Sequence, residues 1–171
     1  MKRIIIMALG VLMGLVVAAP TVLAQEGPPN GGAPEVVSGT IIVNPGDPNW
    51  PGTCTFPLQL DLSGKAKTIE LPDARFILTS PGLDVTVTNL DNGEQATFNI
   101  TGSIHGTPRP DDNDIVDYVI TGRNLAFDPA GVFLNIGRFT YTLDESDPAN
   151  PKIVKPQEGK GQAIDVCALL S

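Results

Sequence analysis

Apolar and polar residues alternate with period two along most of this chain, in short runs separated by Gly, Pro, Asn and Asp. From Cys54 to Leu62, residues Cys54, Phe56, Leu58, Leu60 and Leu62 share one face, and Thr55, Pro57, Gln59 and Asp61 share the other. This predicts a half-buried strand over 54–62 that opens the core. Pro57 cannot donate to a ladder, which places it at an edge or a bulge. Upstream, Val36 to Val43 is β-branched and predicts a first, edge strand, followed by a turn-rich loop over 44–53 carrying the lone tryptophan, Trp50. Short strands are predicted over 65–71 and 74–79.

The clearest hairpin pairs Leu83–Thr88 with Gln95–Thr101 across Asp91-Asn92-Gly93, residue types that tolerate positive φ. Another strand runs from Ile115 to Gly122 with Val116, Tyr118 and Ile120 inward. Along 132–143, Val132, Leu134 and Ile136 alternate first, then Phe139, Tyr141 and Leu143. The phase slips across Gly137 and predicts a β-bulge there. The polar stretch 144–159 reads as a loop with three prolines, and 161–170 as the last strand. No internal repeat emerges. With 18 Gly, 16 Pro and no helical periodicity after residue 24, the fold class is all-β. An antiparallel meander closed as a small β-barrel is expected, with a two-sheet β-sandwich as the alternative.

The N-terminus changes the compartment. Lys2 and Arg3 precede an uncharged apolar run, Ile4 to Val17. Pro20 breaks the run, and Val22-Leu23-Ala24 fits a cleavage site. Residues 1–24 therefore read as a signal peptide, with a retained membrane anchor as the alternative. Residues 25–35 (QEGPPNGGAPE) read as a flexible Pro/Gly-rich leader, and 36–171 as a single β domain. The chain is expected to be secreted, with no membrane span once the signal is cleaved.

Charge narrows the partners. Eleven Lys+Arg against 19 Asp+Glu give a net charge of −8. The basic residues are scattered along the sequence. Nucleic acid is excluded as a partner on this ground, and the acidity reads as solubility outside the cell. A small molecule or a cell-surface partner remains open.

Two cysteines in an exported chain of this size read as one disulfide, Cys54–Cys167. Two free thiols or a redox pair are the alternatives, but there is no Cys-x-x-Cys and no histidine near either residue in sequence. If bonded, the pair joins the first core strand to the last and the meander closes on itself. Asp165 then shares a face with Ala163, Cys167 and Leu169, so it must be paired, sit at a rim, or mark a bulge.

Candidate chemistry is sparse. His105, the single histidine, sits in a Gly/Pro-rich segment (GSIHGTPRPDDND) read as a surface loop. One histidine rules out a His-rich zinc site, and there is no Gly-x-Ser-x-Gly elbow. Asp111, Asp112, Asp114 and Asp117, with Asn113, form the densest acidic patch. No EF-hand-like loop is completed, so the patch reads as a solvated turn, with Ca²⁺ as the weaker alternative and no dependence on calcium expected. Asn99-Ile100-Thr101 matches a glycosylation acceptor but lies within a strand and reads as accidental. No catalytic residue and no cofactor is assigned.

The frame resembles a family of exported bacterial all-β proteins of actinobacterial type. The similar elements are Cys54-Thr55-Phe56-Pro57, the Val85–Asn89 strand end, Thr121-Gly122-Arg123, Gly137-Arg138, and the close Asp165-Val166-Cys167-Ala168-Leu169-Leu170. The resemblance implies export and a recurring frame, but no activity or ligand. The expected function is a secreted non-enzymatic β domain acting as a binding or surface module. One alternative is a small-barrel enzyme or isomerase-like protein acting on a small apolar substrate; another is a structural extracellular module. Side chains of Arg75, Arg123, Arg138, Tyr118 or Tyr141 pointing into a barrel would favour the enzyme, although each is expected to face outward or lie at a rim.

Overall fold

A computed structural model describes residues 32–50, 52–147 and 151–171. The expected signal peptide and most of the expected leader lie outside the described residues. The fold is all-β and antiparallel: β1 (Glu35–Val43), β2 (Leu58–Glu70), β3 (Phe76–Thr79), β4 (Asp84–Asn89), β5 (Gln95–Asn99), β6 (Gly102–Pro108), β7 (Ile115–Asp128), β8 (Gly131–Asp144) and β9 (Lys152–Asp165). One short helix follows, α1 (Val166–Leu169).

The strand order is β5-β4-β2-β3-β6-β7-β8-β9, with β1 on the other side of β2. The sheet is open, and the expected barrel is not formed. The cysteine pair closes a sheet only if both residues lie in paired strands, and neither does. Cys54 precedes β2, which begins only at Leu58, and Cys167 lies in α1. The disulfide is present, with Cα atoms 5.4 Å apart. It ties a loop to a helix and requires no contact between sheet edges. Asp165 has a local role: it caps α1, its Oδ1 accepting from the Ala168 amide at 2.9 Å.

β2 organises the fold. Its first half pairs with β1 over residues 58–66 and with β4 over 58–63, and its last four residues pair with β3. The segments expected separately at 54–62 and 65–71 are thus largely one strand, shared by two parts of the sheet.

Two hydrophobic cores result. The larger gathers Ile41 and Val43 of β1, Leu58 and Leu60 of β2, Val85 and Val87 of β4, Val132 and Leu134 of β8, and Val166 and Leu170 at the C-terminus. The smaller holds Phe76, Val116, Tyr118 and Leu143, with Ile104, Tyr141 and Ile153 packed against it. Each fully buried aliphatic side chain contributes about 1.5–3 kcal/mol.

The boundary between the cores is a row of glycines. Gly102, Gly122, Gly137 and Gly161 are direct cross-strand neighbours in β6, β7, β8 and β9. The phase slip in the sequence is real: Leu134 enters the larger core and Leu143 the smaller. Its cause is not the expected bulge. The β7–β8 register is unbroken through Gly122–Gly137, and the irregularity lies further on, between Thr140 and Leu143 against β9. The buried face of the sheet changes at the glycine row without an extra residue.

Two further expectations fail for physical reasons. The segment containing His105 is a strand, not a loop. It shows little alternation because Gly106 takes an inward position, where a Cβ would stand 2.2 Å from the Phe76 ring. The polar stretch after 151 is also a strand, since β9 is a largely exposed edge that needs no apolar face.

Candidate functional site

The arginine and tyrosine candidates separate. Arg75 is exposed in the turn before β3, donating to the Pro72 carbonyl. The tyrosines are not rim residues. Tyr118 is 3% exposed, stacked on Tyr141 at 4.9 Å between ring centroids and edge-on to Phe76 at 6.1 Å. The Tyr118 hydroxyl donates to Glu145. Burial pushes both phenols above the ordinary tyrosine value, and burial likewise raises the Glu145 carboxyl despite the hydrogen bond it accepts. These rings fill the smaller core and line no barrel interior.

The acidic patch also divides. Asp111, Asp112 and Asp114 are exposed in the turn between β6 and β7. Asp117 lies on β7, where Arg109 clamps it with Nε at 3.1 Å and Nη2 at 3.0 Å, and the Thr142 hydroxyl donates to it at 2.6 Å. Among the described residues no group of three or more His, Cys, Asp or Glu is arranged to hold a metal ion.

The Arg109 and Thr142 hydrogen bonds hold the Asp117 carboxyl below its ordinary value of 3.8. A depressed carboxylate contributes stability above its unfolded value and loses it as pH falls through the folded one. Asp117→Asn is therefore expected to flatten the acid limb of the stability profile below pH about 4. Urea denaturation of both proteins across the acid range checks this; parallel acid limbs would refute the link.

What does converge was not visible in the sequence. Register aligns Lys67 with Thr79, Thr79 with Ser103, Ser103 with Thr121, Thr121 with Arg138 and Arg138 with Lys160. Direct cross-strand partners point to the same side of a sheet. Six side chains from six strands thus form one row, roughly 24 Å long at ~4.8 Å per strand. The row runs beside the glycine row, on the face turned away from the smaller core. It contains three cations and three hydroxyls and no carboxylate.

Its middle is organised by hydrogen bonds. Ser103 and Thr121 hydroxyls are 2.8 Å apart, and Ser103 also lies 3.3 Å from His105 Nε2. Lys67 is half-buried and donates to the Gly32 carbonyl at 2.6 Å. Arg138 and Lys160 are exposed, as is Arg123, placed diagonally from Arg138 on the same face. Among the described residues the ion pairs are Arg109–Asp117 and Lys155–Glu158, and none of the row's cations takes part. The signal was out of reach because these residues are scattered over more than ninety positions and meet only through the strand order.

A second surface feature is an open cleft of about 530 Å³ between the 44–53 loop and the start of β9, lined by Pro48, Trp50, Thr53, Pro129 and Ile153 among others. The Trp50 ring packs against Phe127 at 4.3 Å, which fixes the loop on the larger core.

Comparison with protein-family models, with curated proteins and with solved structures finds no match to this chain.

Proposed function

We propose that this chain works outside the cytoplasm as a non-enzymatic surface module, exported by its signal peptide and folded as a two-layer β-sandwich. It holds an extended anionic polymer of the cell surface along the row from Lys67 to Lys160. The disulfide suits an oxidising compartment. The resemblance to exported bacterial proteins is part of the same reading.

The observation that carries the proposal is Arg138 directly opposite Lys160. Like charges facing each other across strands cost stability. Here they do so in a chain where acids outnumber bases 19 to 11. An anionic ligand removes that cost. Arg supplies a planar fork for carboxylate or phosphate, and Lys supplies a mobile point charge. The hydroxyls of Thr79, Ser103 and Thr121 continue the row as neutral hydrogen-bonding partners. The acidity of the rest of the surface restricts binding to a ligand narrow enough to follow the row.

Alginate, a polyuronate, is a suitable probe, with dextran as the neutral control. The protein is expected to bind alginate and not dextran, and to release it as salt rises. Arg138→Ser with Lys160→Ser is expected to weaken binding about a hundredfold or more, at ~1.5 kcal/mol or above for each of the two charge-assisted contacts. Equal binding to both polymers, no binding, or an unaffected double variant would overturn the proposal.

A further inference from the structure

The three sheet edges are built differently. β9 is an edge broken by register shifts and carries Lys152, Lys155, Pro156 and Lys160, devices that block pairing with another strand. β5 is an edge of only five residues. β1 has none of this protection. It is nine residues long, contains no Lys or Pro, and pairs with β2 in nine consecutive register positions. Among the described residues no strand pairs with its other side. Val36 is 78% exposed and Ile42 45% exposed on that strand.

We propose that the open side of β1 is an interface with a second copy of this chain, the two β1 strands pairing antiparallel about a two-fold axis through Gly39. The register supports this occupant. Centred on Gly39, Val36 faces Ile42 of the other copy, Val37 faces Ile41, and Ser38 faces Thr40. All nine residues of each strand are paired.

The exposed apolar side chains then cover one another twice on the outer face. Val37, which packs against the larger core, extends that core toward Ile41 of the other copy.

Parity is satisfied as well. Directly opposed residues in an antiparallel ladder must have matching hydrogen-bonding directions. A two-fold through a residue pairs positions of the same parity, so outward-pointing amides and carbonyls meet outward-pointing partners. Four or five of the nine positions form hydrogen-bonded pairs with two bonds each, so the ladder gains about eight to ten hydrogen bonds.

Charge permits the arrangement. The only ionisable residue of β1 is Glu35, at one end of the strand, and it faces Val43 of the other copy rather than its own equivalent. Asp61 is the nearest carboxylate on β2 and accepts from the Thr40 hydroxyl at 2.5 Å and from Gln59 at 2.8 Å. Its equivalent in the other copy is three strand spacings away, roughly 14 Å, beyond the ~8 Å screening length at physiological salt. An isologous contact of this kind closes with two copies and leaves no edge for further growth.

Sedimentation velocity of the whole chain over about a hundredfold concentration range tests the proposal, because a dimer gains population with concentration. The expected result is a concentration-dependent shift from monomer to dimer, with no larger species. Val36→Lys is expected to abolish it by placing a charge opposite Ile42 of the other copy. Ile42→Glu added to Val36→Lys is expected to restore the dimer, because the introduced lysine and glutamate then face each other across the axis. Leu90→Lys, at another exposed apolar site on the β4–β5 hairpin, is expected to leave the dimer intact. Circular dichroism confirms that each variant is folded. A monomer at every concentration overturns a second copy as the occupant and returns the edge to a strand from a different protein. A dimer indifferent to Val36→Lys, or one not restored by the paired change, overturns the β1 register.

Discussion

Replacing Cys54 and Cys167 with alanine is expected to cost the folded chain about 4–5 kcal/mol, the loop-closure entropy of a loop of roughly 100 residues. The bond spans 113 positions and encloses the chain from before β2 to α1. Its effect falls mainly on the unfolded ensemble, so the native sheet should survive its loss. Other contacts hold the same junction. Val166 and Leu170 are buried in the larger core. The Leu170 carbonyl accepts from Asn89 Nδ2 at 2.9 Å and from Asn92 Nδ2 at 3.1 Å. The Leu90 amide donates to the Pro57 carbonyl at 3.0 Å, holding the loop after Cys54 to the same hairpin. The double variant should therefore keep its far-ultraviolet dichroism while its urea midpoint falls, and reduced wild-type protein should match it. A loss below about 1 kcal/mol would show that α1 docking, not the cross-link, closes the fold. Loss of the β signal would show the opposite, that the sheet cannot assemble without it.

The sequence expressed the buried part of the fold well and the exposed part poorly. Val116, Tyr118 and Ile120 lie inward on β7, and Val85 and Val87 on β4, where alternation placed them. Such positions are legible because a strand with one wet face must write its burial as period two. β9 wrote nothing of the kind, since an exposed edge is under no such constraint. β6 was hidden because Gly106 and the Phe76 ring share one space, so the missing side chain belongs to another strand. The cysteine pairing was legible from the expectation of export and the count of two. What it joined was not, because Cys54 continues an alternation whose ladder starts four residues later.

The candidate site lies at the far end of this scale. Arg138 is visible along the chain only as part of a Gly-Arg pair and Lys160 not at all, and basic residues that read as scattered in sequence are gathered by the strand order, Arg138 directly opposite Lys160. The strand order places Thr121 of β7 between Ser103 and Arg138, and Lys160 beyond Arg138. A surface row carries no burial signal, so only topology reveals it. The Gly122-Arg123 and Gly137-Arg138 pairs were visible as motifs. Their meaning is joint: each glycine belongs to the crease and each arginine to the face beside it.

Gly137→Ala is expected to destabilise the chain by about 3 kcal/mol or more, a large effect for one added methyl group. Two costs act together. Gly137 has φ +140°, a conformation that side-chain-bearing residues rarely adopt. An added Cβ would also stand 2.4 Å from the Lys160 carbonyl oxygen and 2.7 Å from the Gly161 Cα. Both obstacles are backbone, so no rotamer change relieves them, and β8 and β9 must separate where the buried face of the sheet changes. Gly39→Ala supplies the contrast. That strand position has open space at its Cβ, and its cost is expected to stay within about 0.5 kcal/mol. Because the crease sets the row beside it, Gly137→Ala should also weaken alginate binding at urea concentrations where the variant is still folded. Urea denaturation of both variants decides the matter. Equal, small losses would mean that the sheet bends without needing a bare backbone, and the boundary between the two cores would then require another cause.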